Sequence, residues 1–161
     1  MASRPRERLE VVQALTVPGF DYCGPFFNKS AVRTRPSIKC YVSVFICFTS
    51  KAMHLELVKD LSTVTFLSAL KRFIATRGKP SHIWSDNATN FVGSKNELVD
   101  LKRLLLSDPH MEAVRQFCLA DYIGWKFILP RSPHFGGLWE AAVKLAKHHF
   151  YRSVARSLLT F

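Results

Sequence analysis

The sequence predicts a mixed α/β layer fold in a single domain, and three observations support this prediction. The chain has 161 residues, which is the size of one domain and long enough to bury a core. Hydrophobic residues make up 48% of it, as in folded globular proteins. Segments with the two-residue period of strands alternate with segments that have the period of helices. The predicted order is strands, helix, strand, helices, strand, helix.

The N-terminal half contains three predicted strands. Residues 20–22, FDY, lie in the first strand, and residues 38–48, IKCYVSVFICF, are apolar and β-branched like a buried strand. Residues 49–51 are expected to form a tight hairpin into a neighbouring strand, residues 52–58. That strand is predicted to have one wetter face because two sets of side chains alternate along it, namely Met53, Leu55 and Leu57 against His54, Glu56 and Val58.

Helices and two further strands complete the predicted order. A helix capped by residues 61–63 is expected to end at Gly78 and Pro80. Its apolar stripe consists of Phe66, Leu67, Leu70, Phe73 and Ile74. Residues 82–87, HIWSDN, are predicted to form a short strand that ends in polar residues. The remaining predicted elements are helices over 94–107 and 109–120, a strand over 124–129, and a final helix from Gly137 or Leu138.

The charge of the chain favours a polyanionic partner. Its net charge is +11, and cations near phosphates release counterions on binding. Many basic proteins carry such an excess without binding nucleic acid. Charge alone therefore leaves both interpretations equally open.

The cysteines and the N-terminus indicate a soluble intracellular protein. Cys23, Cys40, Cys47 and Cys118 show no CxxC spacing, so neither a zinc finger nor a redox motif is expected. Reduced thiols are the default. The first residues, MASRPRERLEVV, contain no apolar signal core, and no run reaches transmembrane length. No membrane association is expected.

Three carboxylates stand in distinctive settings: Asp21 in GFDYCGPF, Asp86 in WSDNATNF and Glu140 in GGLWEAAVK. Each has an ordinary explanation by itself, as a turn aspartate, an Asx turn or helix cap, and a charge at a helix N-terminus. Together, two strand-borne aspartates and a helix-borne glutamate can converge on hard cations such as Mg²⁺. Two such ions ~3.5–4 Å apart clamp the attacking and leaving oxygens of a phosphoryl displacement.

The predicted final helix carries cations on the same face as Glu140. Lys144, Lys147 and Tyr151 follow Glu140 at i+4, i+7 and i+11. A row of lysines is usually a solvated surface, but it also suits contact with a nucleic-acid backbone. The opposing stripe, which is expected to face the core, consists of Ala142, Val143, Ala146, Phe150 and Val154.

Four blocks occur in order from Pro18 to near the C-terminus: GFDYCGPF, KCYVSVFICFTSKAMHLELVKDLST, FLSALKRFIATRGKPSHIWSDNATNFVG and WKFILPRSPHFGGLWEAAVK. Together they resemble the integrase catalytic core of LTR retrotransposons, most closely the BEL/Pao type. The resemblance implies an RNase H-like three-layer α/β fold, with a mixed five-stranded sheet flanked by helices. It places this core at residues 18–161, truncated at its C-terminus, after a lead-in of residues 1–17.

The resemblance also implies a D,D,E site. Asp21, Asp86 and Glu140 are expected to be the catalytic residues and the ligands of two Mg²⁺ or Mn²⁺ ions, with Asp21 bridging both. Asn87 is expected to shape the loop beside Asp86. The residues expected to contact nucleic acid are Asn87, His134, Lys144, Lys147 and Tyr151.

The implied activity is metal-dependent polynucleotidyl transfer in DNA integration. Water cleaves near the 3′ end of the element DNA, and the freed 3′-hydroxyl then attacks a target phosphodiester. Element ends and target DNA are the expected partners, with self-association into a homo-oligomer and a nuclear location. Ala88 stands where many integrases carry glycine, and the residues before the core are not expected to form the zinc-binding module of integrases. The expected truncation and Ala88 leave a catalytically inactive DNA-binding remnant open as an alternative. An RNase H-type nuclease, which shares the fold, is a second alternative.

Overall fold

A computed structural model describes residues 13–28, 36, 38–85, 108–127, 141, 144–145 and 147–153. Its strands and helices occur in the order predicted from the sequence. They are β1 (Pro18–Asn28), β2 (Ile38–Cys47), β3 (Met53–Val58), α1 (Thr63–Arg77), β4 (His82–Ser85), α2 (Asp108–Ala120) and β5 (Gly124–Phe127). Residues 141, 144–145 and 147–153 are also helical and are called the C-terminal helical segment. The predicted helix at 94–107 and the predicted start of the last helix lie outside the described residues.

The five strands form one mixed sheet in the order β3-β2-β1-β4-β5. The first three strands pair antiparallel, as expected of chain neighbours joined by short connections. The β1–β4 and β4–β5 pairs are parallel. Parallel neighbours need a crossover, and α1 and α2 provide helical chain between these strands. The strand β1 thus lies at the centre of the sheet, as predicted for the strand that carries Asp21.

Helix α1 packs against one face of the sheet and forms the larger core cluster. Ser62 caps its N-terminus by accepting a hydrogen bond from the Thr65 N–H, and Gly78 ends it at φ 90°. Phe73 stacks on Phe45 of β2 with ring centroids 4.2 Å apart. The buried members on this face include Phe20, Tyr22, Phe45, Val58, Phe66, Leu70 and Phe73.

The opposite face of the sheet carries a second cluster. Its buried residues are Cys23, Phe26, Cys40, Val42, Val44 and Ile46, and Phe48, Trp84 and Phe150 pack against them. All four cysteines are free and buried. In the described part of the chain, no helix has the length and apolar character needed to cross a membrane.

The strand β3 has the predicted alternation, but its wetter face is the apolar one. Met53, Leu55 and Leu57 are 42%, 44% and 37% exposed, whereas His54 and Val58 are buried. The reason lies in α1, which presents arginines to the other side of this edge strand. Glu56 accepts hydrogen bonds from His54 at 2.8 Å and from Arg72 Nε at 2.6 Å, and Arg77 Nε donates to His54 Nδ1. A polar network therefore replaces apolar packing on that side.

Helix α2 is joined to the start of α1 through a buried histidine, and this contact predicts a pH dependence of stability. The Nδ1 atom of His110 lies 2.7 Å from the Thr63 hydroxyl, and burial lowers the pKa of His110. The unfolded chain therefore binds this proton at a higher pH than the folded chain. The contribution to stability is complete above about pH 6.5, the unfolded value, and declines as the pH falls below it. The decline is at most about 1.4 kcal/mol per pH unit.

Urea unfolding at pH 7.5 and 5.5 measures this effect. We expect the wild type to lose more stability between these two values than His110→Gln does. The difference between the two proteins isolates His110 from the other histidines. Equal losses would show that His110 does not couple folding to pH.

Candidate active site

Asp21 lies in the middle of the central strand, with its carboxylate held by two donors. It pairs with Val44 of β2, and its side chain is 15% exposed. The N–H of Tyr22 donates to Oδ1 at 2.8 Å, and Nζ of Lys147 donates to Oδ2 at 2.8 Å. The ordinary explanation of Asp21 as a turn aspartate is therefore wrong. It is a strand residue that holds a cationic group.

The Gly24–Pro25 step after Asp21 is a β-bulge inside β1. Cys23 pairs with Val42, but Phe26 pairs with Cys40, so β1 has one extra residue between these pairs. Gly24 has φ +136°, and a Cβ atom there would lie 2.9 Å from Cδ1 of Tyr41 and 3.2 Å from the carbonyl oxygen of Cys40. Glycine fits this close approach because it has no side chain and tolerates positive φ.

The C-terminal helical segment lies across β1 over the bulge. Phe150 and Tyr151 both pack on Phe26, with ring centroids 4.7 and 4.9 Å apart. The hydroxyl of Tyr151 is 3.5 Å from the carbonyl oxygen of Gly24, a long hydrogen bond. The segment therefore holds Lys147 above Asp21, although the two residues are 126 positions apart in the chain.

The structure describes four of the residues predicted from the sequence, on β1 and the C-terminal helical segment: Asp21, Lys144, Lys147 and Tyr151. Lys147 contacts Asp21, Tyr151 rests against Phe26 and the bulge, and Lys144 is exposed on the same helical segment. Phe150 and Tyr151 were expected on opposing helix faces, yet both reach β1. The predicted residues that lie outside the described ranges are Asp86, Asn87, His134 and Glu140.

The ends of β4 and β5 border the site. Ser85, the last residue of β4, pairs with Phe20, the residue before Asp21. Trp84 pairs with Gly19 on one side and Lys126 on the other, so both side chains share the sheet face that carries Asp21. The Lys126 ammonium lies 5.3 Å from the centroid of the Trp84 ring. Sequence reasoning did not select this pair, although Trp84 stands two residues before Asp86.

Two other titratable groups near Asp21 are neutral at pH 7. Burial, together with the nearby Asp21 charge, raises the pKa of Cys23 to about 11 despite the opposing effect of Lys147. Burial also raises the pKa of the Tyr151 phenol. Because a thiol needs its thiolate form to attack, Cys23 is not suited to be a nucleophile. The charged chemistry of the site belongs to Asp21 and Lys147.

The donor set at Asp21 fits a hard divalent cation. Its carboxylate supplies oxygen, the ligand that Mg²⁺ and Mn²⁺ prefer, and one of its oxygens already attracts a cation. Within the ranges that the structure describes, three or more such side chains do not come together as a complete metal cluster. Of the three predicted metal ligands, Asp21 is the one that lies within the described residues.

Comparison with known proteins identifies structures that are similar to this chain. No protein-family model and no curated protein match the sequence. The chain is similar to a structure of the simian T-cell lymphotropic virus intasome in complex with PP2A regulatory subunit B56 gamma, at TM-score 0.57 and 17% identity. That match covers 99% of this chain and 49% of the other, so the chain spans about half the length of that neighbour.

Two further neighbours are HTLV-2 integrase catalytic core domains in complex with magnesium. The dimeric form matches at TM-score 0.54 and 17% identity, over 91% of this chain and 79% of that one. The trimeric form matches at TM-score 0.51 and 18% identity, over 88% of this chain and 74% of that one. The predicted fold class is confirmed: the chain has the RNase H-like fold of a retroviral integrase catalytic core, a mixed five-stranded sheet flanked by helices.

Proposed function

We propose that this chain is the integrase catalytic core of an LTR retrotransposon of the BEL/Pao type. In this proposal it is a divalent-metal-dependent polynucleotidyl transferase that processes element DNA ends and transfers them to target DNA. The observation that carries the proposal is Asp21, a carboxylate at the centre of an integrase-type sheet that faces a cationic helix. The sequence blocks around Asp21, Asp86 and Glu140 add the BEL/Pao assignment.

Asp21, Asp86 and Glu140 would together hold two Mg²⁺ or Mn²⁺ ions. Support comes from the β4 register, because Ser85 pairs with Phe20 and Asp86 is bonded directly to Ser85. The strand β4 therefore ends, one residue before Asp86 in the sequence, beside the neighbour of Asp21 in β1. The HTLV-2 core domains with this fold are complexes with magnesium. When bound, such ions neutralise charge that develops on the attacking and leaving oxygens of a phosphodiester.

The side chains of this chain would position the DNA for the two reaction steps. Lys144 and Lys147 bind phosphates of the element end as point charges, and Tyr151 packs against the sugar or base beside them. Asn87 and His134 complete the DNA contacts. With the strand held in this way, first water and then the freed 3′-hydroxyl are aligned with the scissile phosphate. Alignment and charge complementarity supply most of the rate enhancement.

DNA ends, target DNA and further copies of this chain are the proposed partners, and the nucleus is the proposed location. The simian viral neighbour is an intasome, and the HTLV-2 core domain forms dimers and trimers. The net charge of +11 suits binding to two DNA molecules at once.

A Mn²⁺-dependent assay on branched DNA, which scores strand transfer and its reversal, tests the proposed function. Asp86→Asn is expected to lower turnover by about 10³-fold, because an amide does not provide the charge that a metal site requires. Asp108→Asn, the same change at an exposed residue of α2, is the matched control and is expected to keep full turnover.

Turnover that survives in Asp86→Asn would refute the proposed site. Salt-sensitive DNA binding without any metal-dependent chemistry would identify the chain as an inactive DNA-binding remnant. Degradation of an RNA–DNA hybrid in place of strand transfer, lost in the same variant, would identify an RNase H-type nuclease.

A further inference from the structure

The ammonium group of Lys147 and the backbone N–H of Tyr22 contact different oxygens of the Asp21 carboxylate. Oδ1 accepts the Tyr22 N–H, whereas Oδ2 receives Nζ of Lys147 at 2.8 Å. Both side chains are largely shielded, at 15% exposure for Asp21 and 30% for Lys147. Partial shielding strengthens this ion pair relative to one on the open surface. Lys147 thus stands in for a bound cation.

We infer that Lys147 and a divalent cation compete for Asp21, and that cation binding releases Lys147 to a DNA phosphate. The inference rests on the proposed function, because it requires Asp21 to be a metal ligand. A Mg²⁺ or Mn²⁺ ion at about 2.0–2.1 Å from Oδ2 would lie within about 5 Å of an ammonium that stayed in place. Cations at that separation repel each other strongly in a partly shielded site.

The release of Lys147 requires no movement of the helix. Phe150 and Tyr151 fix the C-terminal helical segment on Phe26 through ring contacts of 4.7 and 4.9 Å. Lys147 has a flexible four-carbon stem and already reaches solvent with part of its side chain. Rotation of that stem moves the ammonium toward the exposed Lys144, one turn earlier. The two lysines then form a pair of cations for consecutive phosphates.

Metal binding and DNA binding are therefore coupled through one side chain. Without metal, Lys147 neutralises Asp21, which keeps a shielded carboxylate paired. With metal, the same positive charge is transferred to the DNA backbone. Because coupling free energies are reciprocal, DNA that holds Lys147 also favours metal binding at Asp21.

Calorimetric titration with Mn²⁺ tests the competition in the absence of DNA and without an activity readout. The proteins are the wild type, Lys147→Met and Arg152→Met, the last removing one positive charge from the same helical segment at an exposed position. We expect Lys147→Met to bind Mn²⁺ about tenfold more tightly than the wild type. A cationic group within 4–6 Å of a carboxylate lowers the affinity of that carboxylate for a proton by about tenfold or more, and it should oppose a divalent cation in the same way. Arg152→Met should stay within about twofold of the wild type.

A salt titration tests the release. Affinity for a duplex oligonucleotide is measured against salt concentration, first without metal and then with Ca²⁺. Each phosphate neutralised by a lysine contributes about 0.9 to the slope of log affinity against log salt. The wild type should gain about one such contact more than Lys147→Met when Ca²⁺ is added, because only the wild type has Lys147 to release.

Equal or weaker Mn²⁺ affinity in Lys147→Met would overturn the inference. Lys147 would then be a purely structural partner of Asp21, and its removal would lower only the stability of the protein. Lys147→Gln, a polar replacement, is expected to change affinity in the same direction by a smaller factor and covers the case in which Lys147→Met does not fold. Asp21→Asn separates the two proposals. Saturable Mn²⁺ binding that Asp21→Asn abolishes supports the metal site whatever Lys147 does, whereas its absence from every protein would overturn both.

Discussion

Asp21→Asn is expected to lower metal-dependent strand transfer by about 10³-fold or more while the protein stays folded. The amide matches the carboxylate in shape and keeps an oxygen that can accept the Tyr22 N–H, which donates at 2.8 Å in the wild type. It carries no negative charge, so it attracts neither a divalent cation nor the Lys147 ammonium. Catalysis therefore falls much further than stability. Turnover on branched DNA with Mn²⁺ and the urea midpoint of the same protein measure the two effects.

Asp121→Asn provides the matched control for this experiment. Asp121 follows α2 and lies in the turn before β5, so it belongs neither to β1 nor to the C-terminal helical segment. Its substitution removes the same charge and is expected to leave turnover within about twofold, since surface substitutions outside a site rarely matter more. Comparable losses in both variants would attribute the effect to net charge. Retained activity in Asp21→Asn would remove Asp21 from the catalytic assignment.

Gly24→Ala is expected to destabilise the protein by about 3 kcal/mol or more. Two penalties add at this position. The backbone has φ +136°, and the new methyl group would meet Tyr41 Cδ1 at 2.9 Å and the Cys40 carbonyl oxygen at 3.2 Å. The ring can move, but the carbonyl belongs to the paired strand β2. Urea unfolding measures this loss in the free energy of unfolding. A shift of the Gly24 backbone is also expected to break the hydrogen bond from the Tyr151 hydroxyl to the Gly24 carbonyl and so weaken the attachment of the C-terminal helical segment.

Gly78→Ala separates the two penalties. Gly78 also has positive φ, +90°, but a Cβ atom there would meet nothing within 4 Å. Only backbone strain applies, and we expect a loss of about 1–2 kcal/mol. A Gly24→Ala loss no larger than that of Gly78→Ala would show that β2 yields to the methyl group and that the bulge is not tightly packed.

The β2–β3 hairpin and α1 could be predicted from the sequence because the residues that determine them are close together in the chain. The periodicity of residues 38–48 and 52–58, with three polar residues between them, sufficed for the β2–β3 hairpin. The Ser62 cap and Gly78 stop marked α1 to within one residue. The face of β3 could not be predicted, because it depends on Arg72 and Arg77, which approach from a helix that follows the strand.

The candidate site was predicted by motif, and its contacts were not. Asp21 was selected from its surroundings in GFDYCGPF, and Lys147 from its spacing after Glu140. The ion pair between them depends on how the last helix crosses the first strand, which no local pattern records. The Gly24–Pro25 signal is typical of a turn and occurs here inside a strand, since β2 continues to pair on both sides of it. Trp84 and Lys126 became neighbours through the parallel pairing of β4 and β5.

The bulge in β1 shifts the phase of the strand by one residue. In an uninterrupted strand Asp21 and Cys23 would share a face with residues 25 and 27, and Phe26 would point into the α1 side. With the extra residue, Phe26 joins Cys23 and supports Phe150 and Tyr151 instead. Asp21 and Phe26, which are five positions apart, therefore lie on one face of β1 because of the extra residue between Cys23 and Phe26. A one-residue deletion between Cys23 and Phe26 would leave that phenylalanine on the face of Cys23 in a regular strand. If β1 instead paired without the bulge and without a deletion, Phe26 would turn to the α1 side and the lysine-bearing helix would lose its support.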